Sequence, residues 1–545
     1  MIDQARFVGL FKRELDVASV YRKLIFAIVI SAVSCILVLV VINSAAKTAE
    51  YGKLNFLLFI MFASTVGIFS LTQRYVLARI TEIAEQVMDA IRVRLADKVR
   101  NADLYRLERL DYSGIYSRIT KDTVTITQTA PLIVNAMQSG LMVSLGLIYV
   151  AVLSFKAFVL TVISLVAIII YFIYNDRIIS SYMRKAAVEE MSLFDRLSHV
   201  LFGFKEIKIN WDKSDDVLNE LREVSDQVRI SKVSAMVPFT NNYTMSLTFF
   251  YGLIAVIVFV LPNLSQTFSD TVVQLTMALL FLLGPLTNVV NMASLLSQSN
   301  IAVENLENLE AQLEDAAENL PPLEQTDREL FKNFRTIRLN SVIFRYTDSV
   351  GNVNFTLGPV SLELHRGETL FLTGGNGSGK SSLLKVLTSL YQPTMGQIQV
   401  DDVPVVRDNV RTYRGLFSAI YSDFHLFDRL YGIADVDEPR VRELLELMEL
   451  QKKTDYRDNR FTNLDLSTGQ RKRLAMIVSL LENRDVLVFD EWAADQDVHF
   501  RTFYYEKLLK DLKSKGKTII VVTHDDRYFH CADRVINLDY GQIQN

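Results

Sequence analysis

Cysteine is nearly missing from this chain: among 545 residues it occurs only as Cys35, inside an apolar run, and Cys531, in the polar C-terminal part. Two such cysteines build neither a disulfide framework nor a metal-ligand pattern, and they read as packing residues. A strongly basic block is also missing and the net charge is −4, so no nucleic acid is expected as a partner. Charge is scarce in a third sense. Before about residue 300 the apolar residues come in long runs without charge, and after it in short runs split by charges and glycines. The averages, 50% hydrophobic residues and a mean hydropathy of +0.20, hide this division.

A helix that crosses a bilayer needs ~20 mostly apolar residues. Six runs meet that need, at residues 24–46, 54–73, 130–155, 157–174, 245–261 and 272–297, the third and fourth separated by Lys156. The first run is too long for a signal-peptide core, although Ser44-Ala45-Ala46 resembles a cleavage site. Lys and Arg set the orientation. The tail carries Arg6, Lys12, Arg13, Arg22 and Lys23, and the long segments 74–129 and 175–244 are rich in both. The opposite loops offer only Lys47, Lys53 and Lys156. Both termini and both long segments are therefore expected in the cytoplasm. Apolar residues at Leu77, Ile80, Ile83, Val87, Ile91 and Leu95 form a helical stripe, so the membrane helices are expected to continue into the cytosol. Breaks at Asp111-Tyr112-Ser113-Gly114 and Phe202-Gly203-Phe204 leave room for short crosswise helices.

The runs hold almost no ionisable residue, which argues against a proton relay or ion pathway. Asn288, Asn291, Ser294 and Gln298 share one helical face. They suit interhelical hydrogen bonding and cargo contact equally. Gly284-Pro285 predicts a kink. An acidic stretch, 304–318, carries Leu306, Leu309 and Leu313, with Leu320 just beyond, and reads as the end of the sixth helix, stopped by Pro321-Pro322. The expected division is a membrane domain over 1–320, a linker over 321–335 and a second domain over 336–545.

In that second domain a strand-like run, 368–373, leads into Gly374-Gly375-Asn376-Gly377-Ser378-Gly379-Lys380-Ser381, with a helical run behind it. The order fits G-x-x-x-x-G-K-[ST]. Its glycines let backbone N–H groups turn toward phosphate oxygens, Lys380 adds charge at the β/γ phosphates, and the Ser381 hydroxyl can ligate Mg²⁺. Ser382, at the helix start, joins the nucleotide-binding set. A second apolar run ends in Asp490-Glu491. Asp490 is placed to hold Mg²⁺ through water, and Glu491 to act as general base on the attacking water. Between them Leu466-Ser467-Thr468-Gly469-Gln470 opens a further helix with an anion-binding start.

Phosphate loop, LSTGQ, VLVFDE and then Thr523-His524 is the order of an ABC-transporter ATPase domain, and the chain resembles that family. The resemblance implies an α-helical six-span ABC exporter membrane domain followed by an α/β P-loop ABC ATPase domain. It implies Tyr346 as the adenine platform, His524 as the γ-phosphate switch, and Asp497 as the aspartate of the loop after the glutamate. It also implies a homodimer in which Ser467, Gly469 and Gln470 serve the ATP of the second copy.

The segments 413–420, 422–428, 490–497 and 524–529 further resemble the bacterial branch that exports cyclic peptides, including syringomycin-type lipopeptides and pyoverdine siderophore precursors. That resemblance implies a multi-pass protein of the bacterial cytoplasmic (inner) membrane, moving an amphipathic or peptide-derived substrate out of the cytosol. The alternatives are a flippase for a lipid or lipid-linked glycan, whose cavity would be expected to be basic, and an ATP-gated regulator without cargo. Three residues depart from the family pattern: Thr468 for the first signature glycine, Trp492 for the proline after the glutamate, and Ser422 for the glutamine that links Mg²⁺ to the membrane domain.

Overall fold

The computed structural model describes residues 6–14, 18–48, 55–110, 112–264, 269–322, 329–348 and 351–544. It divides into two compact units, one of Met1–Arg100 with Leu110–Asp315, the other of Asn101–Arg109 with Ala316–Asn545.

The first unit is helical. It contains α1 (Arg6–Glu14), α2 (Ala18–Lys47) and α3 (Phe56–Arg100), and, in the second unit, the chain then forms α4 (Leu104–Glu108). The first unit resumes with α5 (Tyr112–Ser117), α6 (Thr123–Leu153), α7 (Phe155–Phe202), α8 (Phe204–Ile209), α9 (Trp211–Ala255), α10 (Leu261–Leu264) and α11 (Ser269–Asp315). Five helices among the described residues are long and apolar enough to cross a membrane, and Phe155–Tyr171, opening α7, is a shorter apolar stretch. Leu71, Val152 and Phe259 stand more than two-thirds exposed on these helices. An uncharged helix can leave such side chains outside because lipid is an apolar solvent for them. The facing sides interdigitate instead, with Ile257, Leu275, Ala278 and Leu279 fully buried together.

Local chemistry moves several boundaries from their expected places. The break between the third and fourth runs falls at Ser154, because its side chain caps α7 by accepting from the N–H of Ala157. Lys156 lies inside that helix. Short helices stand at both breaks, α8 starting after Gly203 and α5 starting at Tyr112. A further short helix, α4, lies upstream of the 111–114 break, because Asp103 accepts from the N–H of Arg106 and starts a new helix there; Asp111 lies outside the described residues. The helical stripe is buried from Ile80 to Leu95, whereas Leu77 is not among the buried residues of α3. Helix α11 continues through Gly284-Pro285 without interruption. It ends at Asp315, ahead of the prolines, because the chain then pairs with residues 101–103: Asp103 N–H donates to Ala316 O and Glu318 N–H to Asn101 O. Leu306, Leu309 and Leu313 are buried as the pattern required.

The second unit is α/β. A four-stranded antiparallel sheet has the order β2-β1-β4-β5, from β1 (Thr336–Thr347), β2 (Val353–His365), β4 (Met395–Val400) and β5 (Val403–Pro404). A second sheet has the order β12-β11-β3-β10-β9-β6. Its strands are β3 (Thr369–Thr373), β6 (Phe417–Ile420), β9 (Val486–Asp490), β10 (Thr518–Val522), β11 (Arg534–Asp539) and β12 (Gln542–Gln544), and a small hairpin supplies β7 (Tyr456–Arg457) and β8 (Arg460–Phe461). From β11 to β6 the pairing is parallel. Strands β9 and β10 are buried at every residue, as a parallel sheet covered on both faces requires. Helices α12 (Lys380–Leu387), α13 (Val410–Arg414), α14 (Glu438–Leu447), α15 (Thr468–Glu482), α16 (Val498–Thr502) and α17 (Leu509–Ser514) pack with these strands. Because β3, β9 and β10 are adjacent and parallel, their C-terminal ends deliver Gly374, Glu491 and Thr523 to one edge of the sheet, where such folds bind ligands.

Candidate functional site

The loop after β3 depends on glycine. Gly374, Gly377 and Gly379 have φ of +139°, +77° and +101°, a region that side chains disfavour. A Cβ on Gly374 would stand 2.1 Å from the Leu538 carbonyl. The loop wraps the base of α12, and Nζ of the buried Lys380 donates to the carbonyls of Gly374 and Gly375, 3.0 Å each. A helix N-terminus, a glycine loop and an ammonium group in one place form a phosphate cradle.

Ser381 and Asp490 meet across the two strands. The Ser381 hydroxyl donates to Oδ2 of Asp490 at 2.9 Å. Burial pushes the Asp490 carboxyl above the usual range, opposed by the Ser381 hydrogen bond. Its other oxygen, Oδ1, is buried without a protein partner. A hydroxyl beside a carboxylate with a free lone pair is an oxygen-donor set that fits Mg²⁺ directly or through water. The Ser422 backbone lies close enough to oppose that shift as well, so the residue at the glutamine position stands beside this site.

Glu491 follows β9 with φ 50° and ψ 35°, a left-handed conformation. Oε1 lies 3.3 Å from Nε2 of His524. Its N–H donates to the Val522 carbonyl. Glu491 lines a cavity of about 650 Å³ together with Asn376, Gly377, Gly379, Lys380, Ser381 and Ser382. That size is ample for a nucleotide. Tyr346 stands at the same cavity, its hydroxyl 3.0 Å from that of Ser382.

Besides Thr347, Asn354 and Phe355 near Tyr346, three distant cavity residues have no motif to mark them: Tyr105, Glu108 and Arg109. They come from α4 and its end, far away in sequence. The Tyr105 ring meets Tyr346 edge-on at 5.7 Å and Phe344 at 5.2 Å. Its hydroxyl accepts from the N–H of Thr347 at 2.7 Å. Glu108 accepts from Lys385 at 2.8 Å and from the Tyr391 hydroxyl. Arg109 donates to the Asp348 carbonyl at 2.7 Å. No local signal marks these residues; only the fold brings them to Tyr346.

Ser467, Gly469 and Gln470 do not line this cavity. They form a capping box, Ser467 accepting from the N–H of Gln470 while Gln470 accepts from the N–H of Ser467. Asp497 caps a short helix by accepting from Phe500 N–H and pairs with Arg473 at 2.7 Å. In the membrane unit, Asn288 donates to Ser139 on α6 at 3.1 Å and Gln298 to Ser294 at 3.3 Å. The first contact is interhelical, one of the two roles the sequence allows, and the second lies within α11. A further neutral network joins Ser31, Gln73, Asn135 and Gln138.

Residues 357–494 match the family described as ABC transporter. The ATP-binding protein SyrD of Pseudomonas syringae pv. syringae is 31% identical over 532 residues, covering 94% of this chain and 92% of that protein. The ATP-dependent lipid A-core flippase of Bordetella avium is 24% identical over 488 residues, covering 85% of this chain and 79% of that protein. Among solved structures, a bacterial Atm1-family ABC exporter with ATP bound superposes with a TM-score of 0.76 at 15% identity, over 97% of this chain and 95% of that one.

Proposed function

Since the chain belongs to the ABC transporter family as a half-exporter that couples ATP hydrolysis to transport, we propose that it works as a homodimer of the bacterial inner membrane and exports a peptide-derived, amphipathic molecule. The observation that carries the cargo class is similarity to SyrD across nearly the whole of both chains, membrane unit included. The segments 413–428, 490–497 and 524–529 support it, since they resemble the cyclic-peptide branch.

In this reading the loop 374–381 and Lys380 hold the ATP phosphates, and Tyr346 stacks on adenine. Ser381 and Asp490 would hold Mg²⁺, which would neutralise phosphate charge. Glu491 takes a proton from the attacking water, and His524 orients that carboxylate. Ser467, Gly469 and Gln470 face outward from their own cavity because they serve the second copy's ATP. Exposed apolar side chains around α8, with Phe202 88% and Ile209 87% exposed, support an assembly of two copies. Lysines and arginines near the span ends support a cytoplasmic position for both termini.

A second reading, a lipid or lipid-glycan flippase, has its own support in the Bordetella relative. The two separate by ATPase stimulation in liposomes. Cyclic lipopeptides should raise turnover at micromolar concentration while lipid A-type glycolipids should not; the reverse order would overturn the peptide assignment.

A further inference from the structure

The start of α15 and the residues after β9 are stitched together by two adjacent buried cations, Lys472 and Arg473. Lys472, only 4% exposed, donates from Nζ to the Glu491 carbonyl at 2.7 Å and pairs with Asp495 at 2.7 Å. Its own carbonyl accepts from Nε1 of Trp492 at 2.7 Å. Trp492 is wholly buried and stacks on Tyr504 at 4.5 Å. The seam continues on either side. Gln496 donates to the Gly469 carbonyl at 3.0 Å and accepts from Arg473 at 2.8 Å. A Cβ on Gly469 would stand 2.6 Å from the Asp495 carbonyl, so the backbones are in close approach there.

The consequence concerns Glu491. Its left-handed backbone persists only where the surroundings over-determine it, and its N–H is fixed from the sheet side by Val522. Lys472 fixes the other end of the residue, the carbonyl, and does so from the helix that carries the 467–470 turn. A lysine buried to this degree is costly unless both its charge and its donors are satisfied; here the Asp495 carboxylate and the Glu491 carbonyl satisfy them. Trp492 takes the place of the proline usual in the family. A proline there could not supply the indole N–H that holds the Lys472 backbone.

We propose that Lys472 is a positioning residue for ATP hydrolysis, holding the Glu491 backbone against the first turn of α15 so that this turn and the catalytic carboxylate move as one body. The proposal rests on Glu491 acting as the base. In a closed dimer the 467–470 turn touches the partner's ATP, and Lys472 passes that engagement to the carboxylate of its own site.

The test is steady-state ATPase of the full-length protein in liposomes, with rates normalised to sites that bind a fluorescent ATP analogue. That normalisation separates lost turnover from lost folded protein. Lys472→Met keeps the aliphatic stem and removes both polar contacts; Lys472→Gln replaces it if the methionine variant is not recovered. The expected result is a fall in kcat of about tenfold or more with KM for ATP within about twofold, because the carboxylate is misplaced while the phosphate loop is intact. Lys472→Arg, which retains the charge and donors, should recover most of the rate. A normalised kcat within about twofold of the parent, or an arginine variant no better than the methionine one, overturns the proposal. Glu491→Gln is run beside them. If it keeps turnover, the base assignment fails; if it loses turnover while Lys472→Met does not, only the role of Lys472 fails.

Discussion

The hydroxyl of Ser381 and the carboxylate of Asp490 are 2.9 Å apart, one opening α12 and the other closing β9. That contact links the phosphate loop to the neighbouring acidic strand and leaves Asp490 Oδ1 available. Asp490→Asn and Ser381→Ala should each raise the Mg²⁺ concentration needed for half-maximal ATPase by about 10–100-fold, the usual cost of losing a group that orients or ligates a metal. Titration of ATPase against Mg²⁺ at fixed ATP measures this. Unchanged Mg²⁺ dependence in both variants would remove the metal from this pair.

Lys380 and Glu491 line one cavity but fail in different ways. Lys380→Ala removes the cation that lies against the loop carbonyls, so nucleotide affinity and turnover should both fall. Glu491→Gln keeps the shape of the side chain and its distance to His524. It should bind ATP like the parent while hydrolysis falls by about 10²–10⁴-fold. Equilibrium binding of a fluorescent nucleotide beside phosphate release distinguishes the two. Parent-like hydrolysis by Glu491→Gln would exclude it as the base.

Glu108 provides a prediction about stability. It accepts from Lys385 and from the buried Tyr391 hydroxyl. Glu108→Ala leaves both donors without this partner, at a cost of about 1–3 kcal/mol to the α/β unit. The chain's tryptophans are Trp211 and the buried Trp492. In a Trp211→Phe background, urea unfolding followed by Trp492 fluorescence reports on that unit alone. The midpoint should move to lower urea in Glu108→Ala; an unmoved midpoint would show that the contact contributes nothing.

The parts of the site legible in sequence were those whose chemistry is local. Gly374 to Ser381 lie in one turn, and Asp490 with Glu491 close one strand, so spacing alone announces them. Ser154 was passed over because a single capping hydroxyl outweighs the more conspicuous Lys156. Tyr105, Glu108, Arg109 and Lys472 were illegible for a different reason. Nothing adjacent to them marks a site, and each acquires its partner only when distant segments fold together. The end of α11 belongs to the same class: pairing with residues 101–103 stops the helix at Asp315 before Pro321 can. Serine at position 422 reads as a lost link, yet its main chain stands close enough to Asp490 to favour the ionised carboxylate. Substitution of a side chain says little about contacts made by the main chain.

ATP held at Lys380 is expected to drive the proposed peptide-derived cargo across the membrane. The most direct measurement is accumulation of a fluorescent cyclic lipopeptide in inside-out vesicles containing the full-length protein. ATP should drive accumulation in the parent, and neither Glu491→Gln with ATP nor the parent with a non-hydrolysable analogue should sustain it. ATP-dependent accumulation equal in parent and Glu491→Gln vesicles, or none in the parent across a panel of such peptides, would contradict the account.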